Sequence, residues 1–302
     1  MEFRNFDELI KNVQIMNSTR RVAVVLAHDE HTLQAVLRAK EDRIIVPILI
    51  GDGFKIREIL QNLGGEKGDE DIIHATDDNN AAEIAVELVH QMRADLIMKG
   101  KLQTADFLKA VVNREKGLGI GGVMSHVAIN EVPDYHKLLV TTDGGMLMYP
   151  DLAQKKCIVE NAVNALRKMG YEQPKVAVLA AVETVNEKMP ETLDAEALKQ
   201  MNKRGELIDC VVEGPISYDL AVNRDSALVK GYSSVVAGDA DILVVPNITT
   251  GNILGKSLVY SAKAKMAGFV AGAKVPVVLT SRGATAEEKY LSLVLAASAA
   301  NG

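Results

Sequence analysis

Short β-branched runs alternate with amphipathic segments along most of the chain. Residues 22–26 read as a strand, 30–40 as a helix, 44–50 as a strand, 54–60 as a helix and 71–75 as a strand. Over 81–92, Ile84, Leu88 and Val89 fall at helical spacing; 95–98 then reads as a strand and 105–112 as a helix. Later strands are predicted at 138–141, 176–180, 210–212, 242–245 and 275–279, with helices at 152–168, 195–203, 220–229, 253–267 and 287–299. Continuous apolar strands joined by helical crossovers specify a mostly parallel sheet covered on both faces.

So many βα units imply an α/β fold of two packed three-layer α/β/α domains. The polar, Pro-bearing stretch 131–136 is the expected boundary. The first domain is then 1–135 with about 281–302 returning to it, and the second is 136–280. Residues 64–70 read as a solvated loop. In open parallel sheets ligands bind beyond the carboxyl ends of the strands. Four such places stand out: after Met98, Thr141, Val245 and Leu279.

Composition narrows the function. Trp is absent and aromatics are 4%, so Val, Ile, Leu, Ala and Met must build the core. A net charge of -6 argues against a general nucleic-acid binder but not against a local basic pocket. No apolar run is long enough for a membrane helix, and the first residues lack the apolar stretch of a signal peptide, so a cytoplasmic protein is expected. Cys157 and Cys210 sit among apolar residues and read as buried thiols.

Three constellations follow predicted strands. Ser281-Arg282-Gly283 separates a strand from a helix start. Such a start presents unpaired N–H groups, and Arg adds a fork of donors for phosphate or an oxyanion. Thr285 and Glu288 fit a capping box, which competes with any catalytic use of Glu288. The stretch from Pro246 to Ser257 nearly matches a Walker A loop, but Gly251 and Gly255 leave three intervening residues where four are needed. It is therefore expected to be a phosphate-contacting loop of another kind, with a turn and N-cap as the plain alternative. In Lys99-Gly100-Lys101, lysines can hold a phosphate as point charges, and Thr104 can cap the following helix. The glycines of 117–122 match a dinucleotide fingerprint in the wrong strand–helix order. His28 and His31 read as part of a solvated helix start rather than a metal site.

Together these residues resemble the phosphate acetyl/butyryltransferase family over most of the chain, closest to its butyryl branch. The resemblance rests on Glu213-Gly214-Pro215, on Pro246 to Asn252, on Ser281-Arg282-Gly283, on Lys99 to Asp106 and on Asp143-Gly144-Gly145. It implies two α/β domains of the isocitrate/isopropylmalate dehydrogenase-like kind with an active-site cleft between them. It implies a homo-oligomer, dimer or higher, and the reaction acyl-CoA + phosphate ⇌ acyl phosphate + CoA with butyryl or similar short-chain groups. Acyl-CoA, phosphate and acyl phosphate are the implied partners. No permanently bound cofactor, metal, nucleic acid or membrane is implied, and coenzyme A is a substrate.

By resemblance Ser281 and Arg282 match the family's Ser-Arg pair, and Glu288 stands where the acetyl branch has Asp. Lys99, Lys101, Thr104, Asp106, Asp143, Gly214, Pro215, Asn247, Thr249, Thr250, Gly251, Asn252 and Gly283 are expected to bind coenzyme A, substrate or phosphate. The acetyl branch has a Ser-Gly-Ala-type loop where this chain has Lys99-Gly100-Lys101, a departure toward the butyryl branch. The expected mechanism is direct thiolate attack on the acyl phosphate with Glu288 as base and Glu287 in reserve. Acetyl transfer, and a non-catalytic regulator of the same fold that binds coenzyme A or a nucleotide, are the alternatives.

Overall fold

Val22, Ala23, Val24 and Val25 are completely buried, and this apolar run forms the carboxyl-terminal two thirds of β1 (Arg20–Val25). Fully burying one such side chain contributes about 1.5–3 kcal/mol, which favours a strand covered on both faces. The computed structural model describes residues 2–16, 18–64, 71–281 and 283–300. The chain forms two compact units: a chain-end unit, Asp7–Gly122 with Ala267–Gly302, and a mid-chain unit, Met1–Phe6 with Val123–Met266.

The chain-end unit holds β1, β2 (Ile45–Gly51), β3 (Asp71–His74), β4 (Leu96–Lys99), β10 (Lys265–Ala271) and β11 (Val277–Val278) in the order β3-β2-β1-β4-β11-β10. Neighbours run parallel except β10 against β11. The helices are α1 (Phe6–Met16), α2 (Glu30–Glu41), α3 (Gly53–Asn62), α4 (Asp78–His90), α5 (Thr104–Val111) and α11 (Ala286–Ala299). Every residue of α11 from Lys289 to Ala299 is buried. A helix apolar on all sides must be wrapped by neighbours, and α2 supplies one wall. The Arg38 guanidinium lies 3.7 Å over the Tyr290 ring, and the Tyr290 hydroxyl donates to Asp42 at 2.6 Å. Lys289 Nζ donates to Thr32 Oγ1 at 3.0 Å and lies 3.5 Å from Asp29.

The mid-chain unit contains β5 (Ser125–Glu131), β6 (Leu139–Thr142), β7 (Lys175–Leu179), β8 (Val211–Ile216) and β9 (Ile242–Val244), ordered β5-β6-β9-β7-β8. Only β5 against β6 is antiparallel among the register pairs. Its helices are α6 (Leu152–Lys168), α7 (Pro190–Lys203), α8 (Tyr218–Val222), α9 (Arg224–Val229) and α10 (Ile248–Tyr260). Leu139, Ala177, Ile216, Leu220, Val236 and Leu243 belong to one buried cluster. Among the described residues, no helix is long and apolar enough to cross a membrane.

Several expected bounds shift. The unit limits fall at Gly122/Val123 and Met266/Ala267. The stretch 131–136 is no linker, because it turns β5 into its antiparallel partner β6. The single helix expected at 220–229 is broken at Asn223, whose extended backbone and side chain cap α9. Cys210 is buried, and burial pushes its thiol up to about 11. Cys157 is only half-buried. The expected loop at 64–70 falls almost wholly outside the described residues.

One polar knot sits before β6 and β9. Lys137 is 2% exposed, with Nζ 2.6 Å from Asp241 and 2.9 Å from Asp239. Burial opposes its charge, but Asp241 and Asp239 outweigh that and hold Lys137 above the ordinary lysine range. Burial likewise opposes the Asp239 carboxylate, yet Lys175, Lys137 and His136 hold it well below its usual 3.8. A depressed carboxylate stabilises the fold in full above its unfolded pKa, and the contribution disappears as pH falls through the folded value. Asp239→Asn should therefore cost about 1–3 kcal/mol at neutral pH. In urea titrations across pH, the gap from wild type should narrow only below about pH 4; a constant gap would contradict this electrostatic role.

Candidate active site

Parallel pairing decides which loops become neighbours. In the chain-end unit Val25 registers with Lys99, and Met98 with Val278. The carboxyl ends of β1, β4 and β11 therefore emerge in a row, and their loops lie side by side. The Gly100 N–H donates to Val25 O at 2.8 Å and the Lys101 N–H to Leu26 O at 3.0 Å. A Cβ at Gly100 would lie 2.3 Å from Leu26 O and 2.6 Å from Val25 O, so only glycine fits.

This geometry separates the two lysines. Lys99 is 1% exposed, and its Nζ donates to Leu102 O at 3.0 Å and to Gly100 O at 3.3 Å. It ties down the loop that follows it. Lys101 is exposed and carries the outward charge. Thr104 does not cap α5: the helix already begins at Thr104, and Gln103 holds the N-cap position without a side-chain cap bond. Asp106 is exposed on the first turn.

Beyond β11, Ser281 is exposed and its carbonyl accepts from the Ala284 N–H at 3.2 Å, closing a turn. Arg282 lies outside the described residues. Among the described residues a Cβ at Gly283 would meet nothing within 4 Å, so none of them requires glycine there. The capping box is formed: Thr285 Oγ1 accepts from the Glu288 N–H at 3.2 Å, and Glu288 Oε2 accepts from the Thr285 N–H at 2.7 Å. Glu287 pairs with Arg38.

In the mid-chain unit β6 and β9 run parallel, with Thr142 opposite Val244. Their carboxyl ends bring Asp143-Gly144-Gly145 beside Asn247 to Asn252. Asp143, which follows a cis peptide bond, is 2% exposed. Its Oδ1 accepts from the N–H groups of His126 (3.1 Å), Gly145 (2.9 Å) and Met146 (3.0 Å), and its Oδ2 from that of Leu147 (2.9 Å). This carboxylate shapes its own loop from inside. His126 packs against Gly145, and burial lowers its pKa despite the opposing charge of Asp143.

The expected glycine loop at 246–252 is mostly helix. Asn247 is the N-cap of α10, its Oδ1 accepting from the Thr250 N–H at 3.0 Å and the Thr250 hydroxyl at 3.2 Å. Thr249, Thr250 and Asn252 are exposed on the first turn. Gly251 is there for close approach: its Cβ would lie 2.7 Å from Gly144 Cα and 2.9 Å from Val245 Cγ2. Gly255, Lys256 and Ser257, the near-Walker residues, lie inside the helix.

Gly214 and Pro215 do not join this pair of loops. They are buried within β8, joined by a cis peptide bond, and β7 lies between β8 and β9. A Cβ at Gly214 would come 2.9 Å from Val178 Cβ and 3.2 Å from Ala195 Cβ, so the glycine serves packing. A cavity of about 550 Å³ lined by Glu2, Tyr135, His136, Arg224 and Asp239 opens at the opposite, amino-terminal edge of this sheet. None of the expected site residues lines it.

The two glycines of α10 give a paired test. Gly251→Ala should cost about 1–3 kcal/mol by forcing the Asp143 loop away. Gly255→Ala, whose Cβ would meet nothing within 4 Å, should gain up to about 1 kcal/mol of helix propensity. Urea denaturation reads both; equal effects of one sign would contradict the close contact.

Residues 60–297 match the family described as phosphate acetyl/butaryl transferase. The chain is 43% identical over 294 residues to the phosphate butyryltransferase of Clostridium acetobutylicum, covering 97% of each. It is 42% identical over 278 residues to the phosphate acetyltransferase of Thermotoga maritima, covering 92% of this chain and 94% of that one. The crystal structure of a branched-chain phosphotransacylase from Enterococcus faecalis V583 superposes with a TM-score of 0.82 at 34% identity, covering 93% and 99% of the two chains. With sequence and fold agreeing over nearly its full length, this chain belongs to the phosphate acetyl/butyryl transferase family.

Proposed function

We propose that this protein transfers a short acyl group, butyryl or one close to it in size, between coenzyme A and inorganic phosphate. The observation that carries the reading is the adjacency of two loops: β11 delivers the Ser281 turn beside the Gly100-Lys101 loop of β4. A site that handles acyl phosphate needs fixed positive charge and N–H donors where charge develops. Lys101 supplies a point charge, Arg282 a planar fork, and the start of α11 a partial positive charge.

The thiolate of coenzyme A attacks the acyl carbon, and the C–O bond to phosphate breaks. Arg282 and the Ser281 hydroxyl stabilise the carbonyl oxygen and the departing phosphate. Glu288 takes the thiol proton through the carboxylate oxygen that the cap leaves over. Asp143 and Lys99 act as positioning residues, each holding the backbone of a strand-end loop. Thr249, Thr250 and Asn252 bind phosphate groups of the substrates from the first turn of α10. The enzyme works in the cytoplasm as a homo-oligomer, with coenzyme A as substrate rather than resident cofactor.

Acetyl transfer is the competing reading, since several relatives bear that name. One methylene changes discrimination by only about 1–3 kcal/mol. Thiol release from acetyl-, propionyl-, butyryl- and isobutyryl-CoA, each with and without phosphate, should be phosphate-dependent and fastest with the four-carbon chains. Release independent of phosphate would sink the function, and an acetyl optimum would sink the chain-length assignment. Arg282→Ala should lower turnover by about 10²–10³ while the protein stays folded. Glu288→Gln keeps an acceptor for the Thr285 N–H, so it should retain its melting temperature and lose turnover. Full activity in that variant would leave Glu288 as a cap only.

A further inference from the structure

The order β3-β2-β1-β4 reverses direction at β1, so a topological switch point lies between β1 and β4. Ligands of open parallel sheets settle at such points. Lys101 stands on one side of it. On the other side, β1 ends in Leu26-Ala27-His28. Leu26 is buried with φ 49, a left-handed conformation unusual for leucine. It is held because its carbonyl accepts the Lys101 N–H. Strain of this kind gathers at functional sites.

His28 is half-buried over the end of β2. Gly51, at φ 147, makes the room: a Cβ there would come 3.1 Å from His28 Nδ1. Of the two ring nitrogens, Nδ1 is buried without a hydrogen-bond partner. A buried orphan N–H is rarer than an orphan acceptor. A neutral imidazole that holds its proton on Nε2 leaves no N–H orphaned at the buried Nδ1. Burial, then Lys55 and Lys101, lower the His28 pKa against the opposing Asp52 and Asp78. Two ammonium groups, Lys55 and Lys101, thus bear on this ring and disfavour its cationic form.

We infer that His28 donates its Nε2–H to a phosphate oxygen of the substrate at this switch point, with Lys101 supplying the countercharge. The inference rests on the acyltransferase reading for the source of that phosphate. The shared chemistry is a phosphate dianion, either the group transferred or a phosphate of coenzyme A.

The test uses inorganic phosphate as probe, by calorimetry, on the whole chain and on His28→Leu and His28→Gln. Gln places an amide N–H near the position of Nε2; Leu offers none. Leu should weaken phosphate binding about tenfold or more, and Gln should stay within about threefold of wild type. Wild-type affinity in His28→Leu, or equal losses in both variants, would overturn the proposal. If His28→Leu fails to fold, ¹⁵N-histidine spectra of wild type decide. Phosphate should then shift the His28 Nε2 resonance, and an unmoved resonance would overturn the proposal. Repeating the comparison with coenzyme A and its 3′-dephospho form separates the sources. A His28 effect on coenzyme A alone assigns the ribose phosphate, and an effect on both coenzymes or on acyl phosphate assigns another phosphate. His28-dependent phosphate binding in a wild type that transfers no acyl group would sink the function but leave this contact standing.

Discussion

Where parallel strands end in this protein, backbones touch with no side chain between them. Gly100 lies against the carbonyls of Val25 and Leu26, and Gly144 lies against Gly251. Both contacts are closer than a Cβ would allow. They fix the spacing of the loops beyond β1 and β4 in one unit and beyond β6 and β9 in the other. The charged and hydroxyl groups on those loops inherit that spacing. Side chains on loose loops would lose more conformational entropy on gripping a substrate.

A second constraint works beneath the first. Lys99 and Asp143 are charged residues that follow or end strands, and both are almost completely buried. Each turns its charge onto backbone groups, the lysine onto two carbonyls of its own loop and the aspartate onto three N–H groups of its own loop and that of His126 on β5. A buried charge is tolerated only when it is hydrogen-bonded or paired. These residues hold the loops, while their exposed neighbours Lys101, Thr249, Thr250 and Asn252 are free to meet a ligand.

The alternation of apolar strands and helices was legible because burial on both faces leaves a continuous β-branched run, as in β1. Context overrode local signals elsewhere. Gly251 and Gly255 argue against helix by about 1 kcal/mol each, yet the Asn247 cap and packing on Gly144 start α10 five residues before the expected 253. The end of that expected helix is β10, whose run from Met266 to Ala271 has β character that a helical reading absorbed. Helix α1 escaped notice although Phe6, Leu9 and Val13 recur at helical spacing and are buried. At the strand ends, residue type and position after a strand picked out loops that the parallel register makes neighbours. They could not separate an inward lysine from an outward one, because burial is set by register between distant segments. His28, expected in a solvated helix start, is half-buried against Gly51 because it directly follows β1.

The central claim is that substrate binds at the carboxyl-terminal edges of these sheets, where glycines set the loop spacing. Hydrogen–deuterium exchange with and without coenzyme A and phosphate tests it most directly. Slowed exchange is expected at residues 26–29, 99–106, 143–148, 247–252 and 281–288. Slowing confined to the opposite edge, around Tyr135, His136 and Asp239, would contradict the account.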